Sequence, residues 1–414
     1  MTATVATRPA LEVADILRQY GPEFLERYGG VLSASQRKAV RDLSVCRTAA
    51  LGGHVEHCLD CGQSRIAYNS CRNRHCPKCQ ALARAVWLEQ QAEHLLPVEY
   101  HHVVFTLPAA VGELALANPT ALYQLLMRSA AVTLRDVAAN PKRLGALPGV
   151  LMVLHTWGQN LHHHPHVHCV VTGGGLSCDP TGQLDAAPRW VACRPGFFLP
   201  VRILSRVFRG KFVAGVRALL AEGQLVLPGR LATLSEPPAR VAWLAALHAT
   251  EWVVYAKPPF GGPVQVLKYL ARYTHRVAIS NARLVDLCDG RVRFRYKDYA
   301  DGHTSKTMTL DAVEFLRRFV QHVLPRGFVK IRHYGLLANG QRAARLALAR
   351  RLLLVVTVAG TPPGSGDMEV SPALPRCCPC CGSLRLVYRE VPPDEATPDD
   401  AAPDDAPRAV VDSS

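Results

Sequence analysis

Hydrophobic positions at helical spacing predict helices in several parts of the chain. The first 45 residues contain such a pattern from Leu11 to Leu17, and Ser33 to Gln36 resembles the cap of a second helix. Residues 81–96, which are rich in Ala, Leu, Glu and Gln, predict another helix that ends at Pro97. Further helices are predicted at 263–273, 310–323 and 341–354.

Strands are predicted where short apolar runs, or a strict alternation of polar and apolar residues, end at turn-forming residues. These segments are 100–107, 151–154, 166–172, 251–255 and 291–296. In the last of them arginines alternate with Val, Phe and Tyr, as in a strand with one buried face. Because helices and strands follow one another irregularly, the pattern predicts an α+β fold rather than a βαβ repeat.

Charge is distributed unevenly along the 414 residues. The last 21 residues hold seven acidic residues and one arginine, so the formal net charge of +15 divides into −6 there and +21 over residues 1–393. A positive excess of this size attracts phosphate backbones, although it also occurs on soluble proteins without such a partner. The acidic tail, residues 386–414, is rich in Pro and Asp and is predicted to be disordered.

The cysteines indicate metal binding in a reducing compartment. No stretch approaches the roughly 18 uncharged apolar residues of a membrane span, and the first nine residues lack a signal-peptide core. We therefore expect a cytoplasmic protein with no membrane partner, which is located on the nucleoid when it is bound to DNA. In such a compartment the clustered members of its 14 cysteines should bind metal rather than form disulfides.

The densest cysteine cluster lies within residues 46–96, which we assign to a zinc-binding domain. Two C-x2-C pairs, Cys58 with Cys61 and Cys76 with Cys79, have the spacing of zinc knuckles and together complete one tetrahedral site. The sequence is equally compatible with two ions. The ligands would then divide into two sets, with Cys46, His54, Cys58 and Cys61 on one ion and Cys71, His75, Cys76 and Cys79 on the other.

A shorter cysteine group, in residues 361–385, also resembles a zinc knuckle. Its four cysteines are spaced too tightly to close easily around one ion, and no second pair lies nearby in the sequence. They are Cys377, Cys378, Cys380 and Cys381. The sequence alone assigns this group no metal-binding partner.

Five histidines crowd into residues 162–168. Pro165 favours the start of a strand, so the regular strand should begin near His166, and His166 and His168 then project from one face. Two parallel imidazoles form part of a metal site, although an H-x-H pair by itself is more often structural. A third ligand is needed, and Gln159 and His155 on the preceding strand are the candidates.

Two tyrosines follow about a hundred residues later. Tyr269 and Tyr273 lie four residues apart in the helix predicted at 263–273, so their phenols should stand side by side. Tyrosines at this spacing usually pack in a core. A divalent cation beside two nucleophilic phenols, however, is suited to phosphoryl transfer, and hence to cutting and joining DNA through a phosphotyrosine link.

In their order along the chain, these motifs closely resemble those of two-tyrosine HUH (His-hydrophobic-His) transposases, and more narrowly their bacterial insertion-sequence branch. The resemblance covers residues 10 to 382 approximately. It implies an HUH-type antiparallel sheet flanked by helices over residues 97–360, preceded by N-terminal helices (1–45) and the small zinc-binding domain. The stretches that carry it are 69–79, 105–108, 164–175, 269–281 and 328–335.

The resemblance implies that His166 and His168 hold Mg²⁺ or Mn²⁺ and that Tyr269 and Tyr273 are the nucleophiles. The expected function is nicking and rejoining of single-stranded or locally melted DNA at element ends, through a 5′-phosphotyrosine, in rolling-circle-type transposition. Basic residues beside the tyrosines and in the strand at 291–296 are candidate DNA contacts: Arg272, Arg276, Arg293, Arg295 and Lys297.

Two other functions are open on the sequence alone. A plasmid replication initiator or conjugative relaxase uses the same histidine and tyrosine chemistry, although the zinc-rich N-terminus favours the transposase. A non-catalytic, zinc-dependent DNA-binding regulator would use neither group, and its tyrosines would be packing residues.

Overall fold

Helices and strands alternate irregularly in the computed structural model, which describes residues 11–79, 87–260, 265–266, 278–298, 301–302, 304–357 and 377–393. The helices with defined bounds are α1 (Val13–Tyr28), α2 (Ala34–Ser44), α3 (Gly112–Ala117), α4 (Pro119–Ala139), α5 (Val201–Ala221), α6 (Pro237–Ala249), α7 (Ala312–Val320) and α8 (Arg342–Thr357). Within this described part, none of the helices has the length and apolar character needed to cross a bilayer.

Half of the twelve strands with defined bounds belong to one sheet. The twelve are β1 (Gly53–Cys58), β2 (Ser64–Tyr68), β3 (Tyr100–Thr106), β4 (Ala146–Trp157), β5 (His163–Ser177), β6 (Trp190–Ala192), β7 (Val254–Phe260), β8 (Leu284–Cys288), β9 (Arg291–Asp298), β10 (Thr304–Asp311), β11 (Ile331–Gly335) and β12 (Leu386–Val391). The central sheet has the order β11–β4–β5–β3–β7, with β6 paired to β5, and every pairing is antiparallel. An antiparallel sheet flanked by helices confirms the predicted α+β class.

One face of the central sheet packs against the main hydrophobic core. Phe105, Met152 and Val167 project from three neighbouring strands into this core, where they meet Leu126 of α4 and Phe208 of α5. The removal of these large side chains from water is the main favourable contribution to the stability of this half of the protein.

The opposite face carries a smaller apolar cluster. Leu151, Val153 and Val170 pack there with Trp87 and Leu88. Residues 87–92 are helical, within the helix predicted at 81–96, and residues 80–86 lie outside the described part. The apolar cluster covers only part of this face of the sheet, so polar side chains can occupy the rest of it.

A separate core joins the N-terminal helices to the three-stranded sheet β10–β9–β8. Ile16 and Phe24 of α1 pack with Phe294 of β9 and Phe315 of α7. The alternation predicted for β9 is confirmed, because Val292 and Phe294 are buried and the intervening arginines are exposed. The helices within residues 1–45 thus share their core with residues 278–320.

The third sheet, β12–β1–β2, joins the C-terminal strand β12 to the hairpin that follows α2. β12 runs antiparallel to β1, from Val391 opposite Gly53 to Leu386 opposite Cys58. The prediction of a disordered tail beginning at residue 386 is therefore wrong for residues 386–391, because main-chain pairing with β1 orders them. Residues 394–414 lie outside the described part.

Two predicted boundaries also shift. α7 begins at Ala312 rather than Leu310, because the Asp311 carboxylate accepts hydrogen bonds from the backbone N–H groups of Val313 and Glu314 and caps the helix. The strand predicted at 251–255 is β7, which begins at Val254.

A glycine at the end of β11 is expected to be essential for stability. Gly335 has φ +63°, and a Cβ at this position would lie 1.9 Å from the carbonyl oxygen of Pro148. Gly335→Ala should lower the free energy of unfolding by well over 1 kcal/mol, since strain and overlap add. Urea titration should show a smaller loss for Gly302→Ala (φ +58°, open space) and almost none for Gly340→Ala. Equal losses for all three variants would contradict this explanation.

A buried histidine is expected to make the fold sensitive to acid. His322 accepts a hydrogen bond from the Thr156 hydroxyl and donates one to the Leu161 carbonyl, and burial lowers its pKa to about 4. The unfolded chain, with a histidine pKa near 6.5, then binds the extra proton first, so stability falls as the pH drops below about 6.5.

His322→Gln should therefore weaken the pH dependence. Between pH 7.5 and 5, the loss of unfolding free energy should be smaller than in the wild type by about 2 kcal/mol. The exposed His248→Gln is the control for the loss of a histidine that is not buried. Identical pH dependence in wild type and His322→Gln would show that His322 does not titrate as described.

Candidate functional site

Strand register brings three histidines to one face of the central sheet. His166 of β5 lies opposite His155 of β4, and His168 lies opposite Val153 of the same strand. Residues directly opposite one another in antiparallel strands point to the same side of a sheet. The intervening Val167 points into the main core. His155, His166 and His168 therefore lie on the opposite face of the sheet.

The ring nitrogens of these three histidines converge. One ring nitrogen from each lies within 4.8 Å of the other two. The Nε2 atoms of His166 and His168 are 3.1 Å apart, and the ring centres of His155 and His168 are 4.5 Å apart. This spacing suits a single metal ion bound by imidazole nitrogens, so the arrangement fits a divalent cation.

Hydrogen bonds hold two of the rings in the orientation that a ligand needs. The Nδ1–H of His166 donates to the carbonyl oxygen of His164 at 2.7 Å, which leaves its Nε2 lone pair free. The Nδ1 of His168 lies 2.9 Å from Nε2 of His102, and the two rings are parallel within 2°. His102 can therefore accept the Nδ1–H of His168 and fix its tautomer.

Burial keeps these rings neutral. Protein atoms crowd around His166 and His168, although both stay partly exposed at the surface. The loss of water disfavours the charged ring, which lowers the pKa of His166 to about 4 and that of His168 well below its usual value. Burial, together with the nearby Lys257 ammonium, lowers the pKa of His102 to about 3.

The other candidate residues of this region have different surroundings. Gln159 lies in the turn between β4 and β5, where its backbone oxygen accepts from Arg283. His163 points to the main core and contacts the Tyr123 hydroxyl at 2.8 Å, whereas His162 contacts Arg318. His102 is the residue that sequence reasoning missed, and only the pairing of β3 with β5 reveals it.

Tyr269 and Tyr273 lie outside the described residues, as do Arg272 and Arg276. The nearest described residue before them is Val266, which is helical and fully buried. Val266 packs with Val153 and Val170 on the sheet face that carries the histidine cluster. The described chain thus reaches this face three residues before Tyr269.

The predicted basic residues of β9 lie on the solvent-exposed face of the sheet β10–β9–β8. Arg293, Arg295 and Lys297 are all exposed. Arg293 forms an ion pair with Asp286, whereas the backbone oxygen of Arg295 accepts from Arg283. The strand therefore presents basic side chains to solvent.

Four of the predicted zinc ligands form one compact cluster. Cys46 follows α2, and the other three follow β2 along the chain. Neighbouring sulfurs in this group are 3.5 to 3.7 Å apart. The members are Cys46, Cys71, Cys76 and Cys79, and their sulfur atoms can surround one ion.

The C-x2-C pair of Cys58 and Cys61 belongs to a different cluster, which corrects the predicted ligand sets. Cys58 and Cys61 lie with Cys378 and Cys381, not with Cys76 and Cys79. The reason is the hairpin of β1 and β2: Cys58 stands at its tip, about five residues or roughly 17 Å from the base next to the first cluster.

Both histidines assigned to zinc in the two-ion alternative are placed elsewhere. His54 lies 3.6 Å from the Glu56 carboxylate. His75 is buried and its Nε2 accepts the backbone N–H of Leu324, so this ring nitrogen is used in packing against the segment after α7. Neither belongs to a cysteine cluster among the described residues.

Comparison with known proteins identifies the family of the chain. A family model described as "Putative transposase" matches residues 149–345, which include the strand with His166 and His168. A model described as "Transposase zinc-binding domain", of the IS91 type, matches residues 16–107, which include the first cysteine cluster. No solved structure matches the chain.

Two curated relatives cover most of the chain. The "Putative transposase y4qJ" of Sinorhizobium fredii is 55% identical over 346 residues, or 84% of this chain and 85% of that protein. The "Transposase for insertion sequence element IS801" of Pseudomonas savastanoi pv. phaseolicola is 30% identical over 372 residues, or 87% of this chain and 84% of that protein. The chain belongs to the IS91/IS801 family of insertion-sequence transposases, with an N-terminal zinc-binding domain.

Proposed function

We propose that this transposase cuts and rejoins single-stranded or locally melted DNA at the ends of its element through a 5′-phosphotyrosine link, as in rolling-circle-type transposition. The observation that carries the proposal is the convergence of the ring nitrogens of His155, His166 and His168. In a transposase, a metal ion held by such a set, together with a tyrosine nucleophile, is suited to phosphoryl transfer.

The three histidines are the proposed ligands of Mg²⁺ or Mn²⁺. His166 and His168 are neutral near pH 7, and a neutral imidazole nitrogen is the form that binds metal. When bound, the ion withdraws charge from the scissile phosphate. His155 is preferred to Gln159 as the third ligand, because it lies opposite His166 in the β4–β5 pairing.

Tyr269 and Tyr273 are the proposed nucleophiles. Val266 supports this role, since it lies on the histidine face three residues before Tyr269. The phenolic oxygen forms a bond to phosphorus while the bond between phosphorus and the 3′ oxygen breaks. The phenol loses a proton and the 3′ oxygen gains one, so the energy of the phosphodiester stays in the new link. A second tyrosine allows a second cut while the first end remains attached.

Basic side chains on two segments are the proposed DNA contacts. Arg295 and Lys297 project from β9 to solvent, and Arg293 does so with its charge partly neutralised by Asp286. Arg272 and Arg276 flank the proposed nucleophiles in sequence. With a formal charge of +21 over residues 1–393, these groups should make DNA binding salt-sensitive.

Cys46, Cys71, Cys76 and Cys79 are the proposed ligands of a structural Zn²⁺. Four thiolates complete a tetrahedral shell and leave no position for a substrate, so this ion would not act in the reaction. Because Cys46 and Cys76 are buried in the core with α1 and α7, the ion would hold the zinc-binding domain against that core.

Substitution of the tyrosines tests the covalent step. With single-stranded element-end DNA and Mn²⁺, we expect a protein–DNA adduct that survives denaturing electrophoresis. The adduct should persist in Tyr269→Phe and in Tyr273→Phe, because either phenol can attack, and disappear in the double variant. An adduct of wild-type amount in the double variant would rule out both tyrosines as nucleophiles. Absence of any adduct in the wild type would favour a DNA-binding regulator.

Substitution of the histidines tests the metal site. His166→Ala and His168→Ala should abolish adduct formation but leave DNA affinity within about twofold, because the rings act on the scissile phosphate and not on general binding. His155→Ala should do the same if it is the third ligand. His164→Ala is the matched control, since the hydrogen bond from His166 goes to the backbone carbonyl of residue 164, which the substitution keeps, and the His164 ring lies outside the convergent set. Equal loss of binding and cleavage in His166→Ala would indicate a structural role.

A further inference from the structure

The second cysteine cluster joins parts of the chain that are far apart in sequence. Sγ of Cys61 lies 3.6 Å from Sγ of Cys378, a residue 317 positions later, and Sγ of Cys58 lies 3.6 Å from that of Cys381. The matching zinc-binding family model ends at residue 107, so it does not include the C-terminal pair.

The two halves of this cluster have the same local structure. In each, a C-x2-C pair is followed by a glycine with positive φ, +71° at Gly62 and +75° at Gly382. The N–H of Gly62 donates to the carbonyl of Cys58 at 2.9 Å, and the N–H of Gly382 donates to the carbonyl of Cys378 at 2.8 Å. Two matching turns that face each other present four thiols to one point, as in a zinc site built from two knuckles.

Beyond the main-chain pairing of β1 with β12, most side-chain contacts between the two halves are exposed. Asp60 accepts from Arg385 at 2.7 Å, but both side chains are exposed, so this ion pair contributes little. β12 pairs with β1, yet Val387 and Tyr388 remain about half exposed, at 49% and 46%. By contrast, Cys58 and Cys378 are 1% and 2% exposed. Apolar packing therefore adds little to the main-chain pairing of β12 with β1, and the cysteines are the buried side-chain contact between the two segments.

We propose that Cys58, Cys61, Cys378 and Cys381 bind a second Zn²⁺ that fastens the C-terminal segment 377–391 to the N-terminal zinc-binding domain. Four thiolates form a closed tetrahedral shell, which identifies the site as structural. Its ligands lie more than 300 residues apart in the sequence and converge only in the folded chain, so the free energy of zinc binding stabilises the folded state. This site is independent of the cutting and joining reaction proposed above.

The C-terminal cysteine group contains its own control. Cys377 and Cys380 are exposed and belong to neither of the two four-cysteine clusters among the described residues. Cys378 and Cys381 complete the second of these clusters. Substitution of either pair removes two thiols from the same five-residue segment. Only one of the two substitutions should remove a metal ion.

Metal analysis of the purified full-length chain, by mass spectrometry of the dissolved metal, tests the proposal. We expect two zinc ions per chain in the wild type, one in Cys378→Ser/Cys381→Ser and two in Cys377→Ser/Cys380→Ser. Hydrogen exchange of the β12 backbone amides should be at least tenfold faster in the first variant and unchanged in the second. The single variant Cys381→His, in which histidine replaces cysteine as a zinc ligand, should still bind the second ion.

Several outcomes would overturn the proposal. These are one zinc ion in the wild type, two in Cys378→Ser/Cys381→Ser, loss of an ion in Cys377→Ser/Cys380→Ser, or iron in place of zinc. Circular dichroism of each variant separates loss of the site from loss of the fold, and the His variant provides the answer if the double Ser variant does not fold. The adduct assay is a separate readout, so failure of either proposal leaves the other standing.

Discussion

The antiparallel pairing of β5 with β4 and β3 is the constraint on which the site depends. Along β5, Val167 and Cys169 enter the main core, while His166 and His168 point to the other face. A shift of one residue would bury two imidazoles and expose two core side chains, so the apolar residues determine the register strongly. That register in turn places His155 opposite His166.

Desolvation sets the chemical state of the histidines. Removal of water disfavours the charged rings, so His166 and His168 remain neutral at physiological pH. Burial of polar rings has a cost, which hydrogen bonds from His166 to the His164 carbonyl and between His168 and His102 offset in part. The same hydrogen bonds orient the ring nitrogens of His166 and His168 toward one point. The packing around these rings therefore determines both their protonation state and their orientation.

Local patterns were reliable guides where the relevant contacts are local. The alternation in β9 predicted its buried face, because one side of that strand packs on a core and the other meets water. Helices α3 to α6 were not predicted, and α4 shows why. Twelve of its 21 residues are buried, so no narrow apolar stripe marks the helix in the sequence. Leu310 and Asp311, the last residues of β10, were predicted to belong to α7. The prediction missed that Asp311 caps the helix, which places its start at Ala312.

The sequence by itself determined the α+β class, the family resemblance and the chemical types at each site, because these depend on residue identity and short spacing. Only the tertiary structure decided the partners. It paired Cys58 and Cys61 with Cys378 and Cys381, and it placed His155 and His102 beside the β5 histidines. A C-x2-C or H-x-H spacing specifies which ligands act as a pair. The second half of each site is chosen by strand pairing across long sequence separations, which no local spacing encodes.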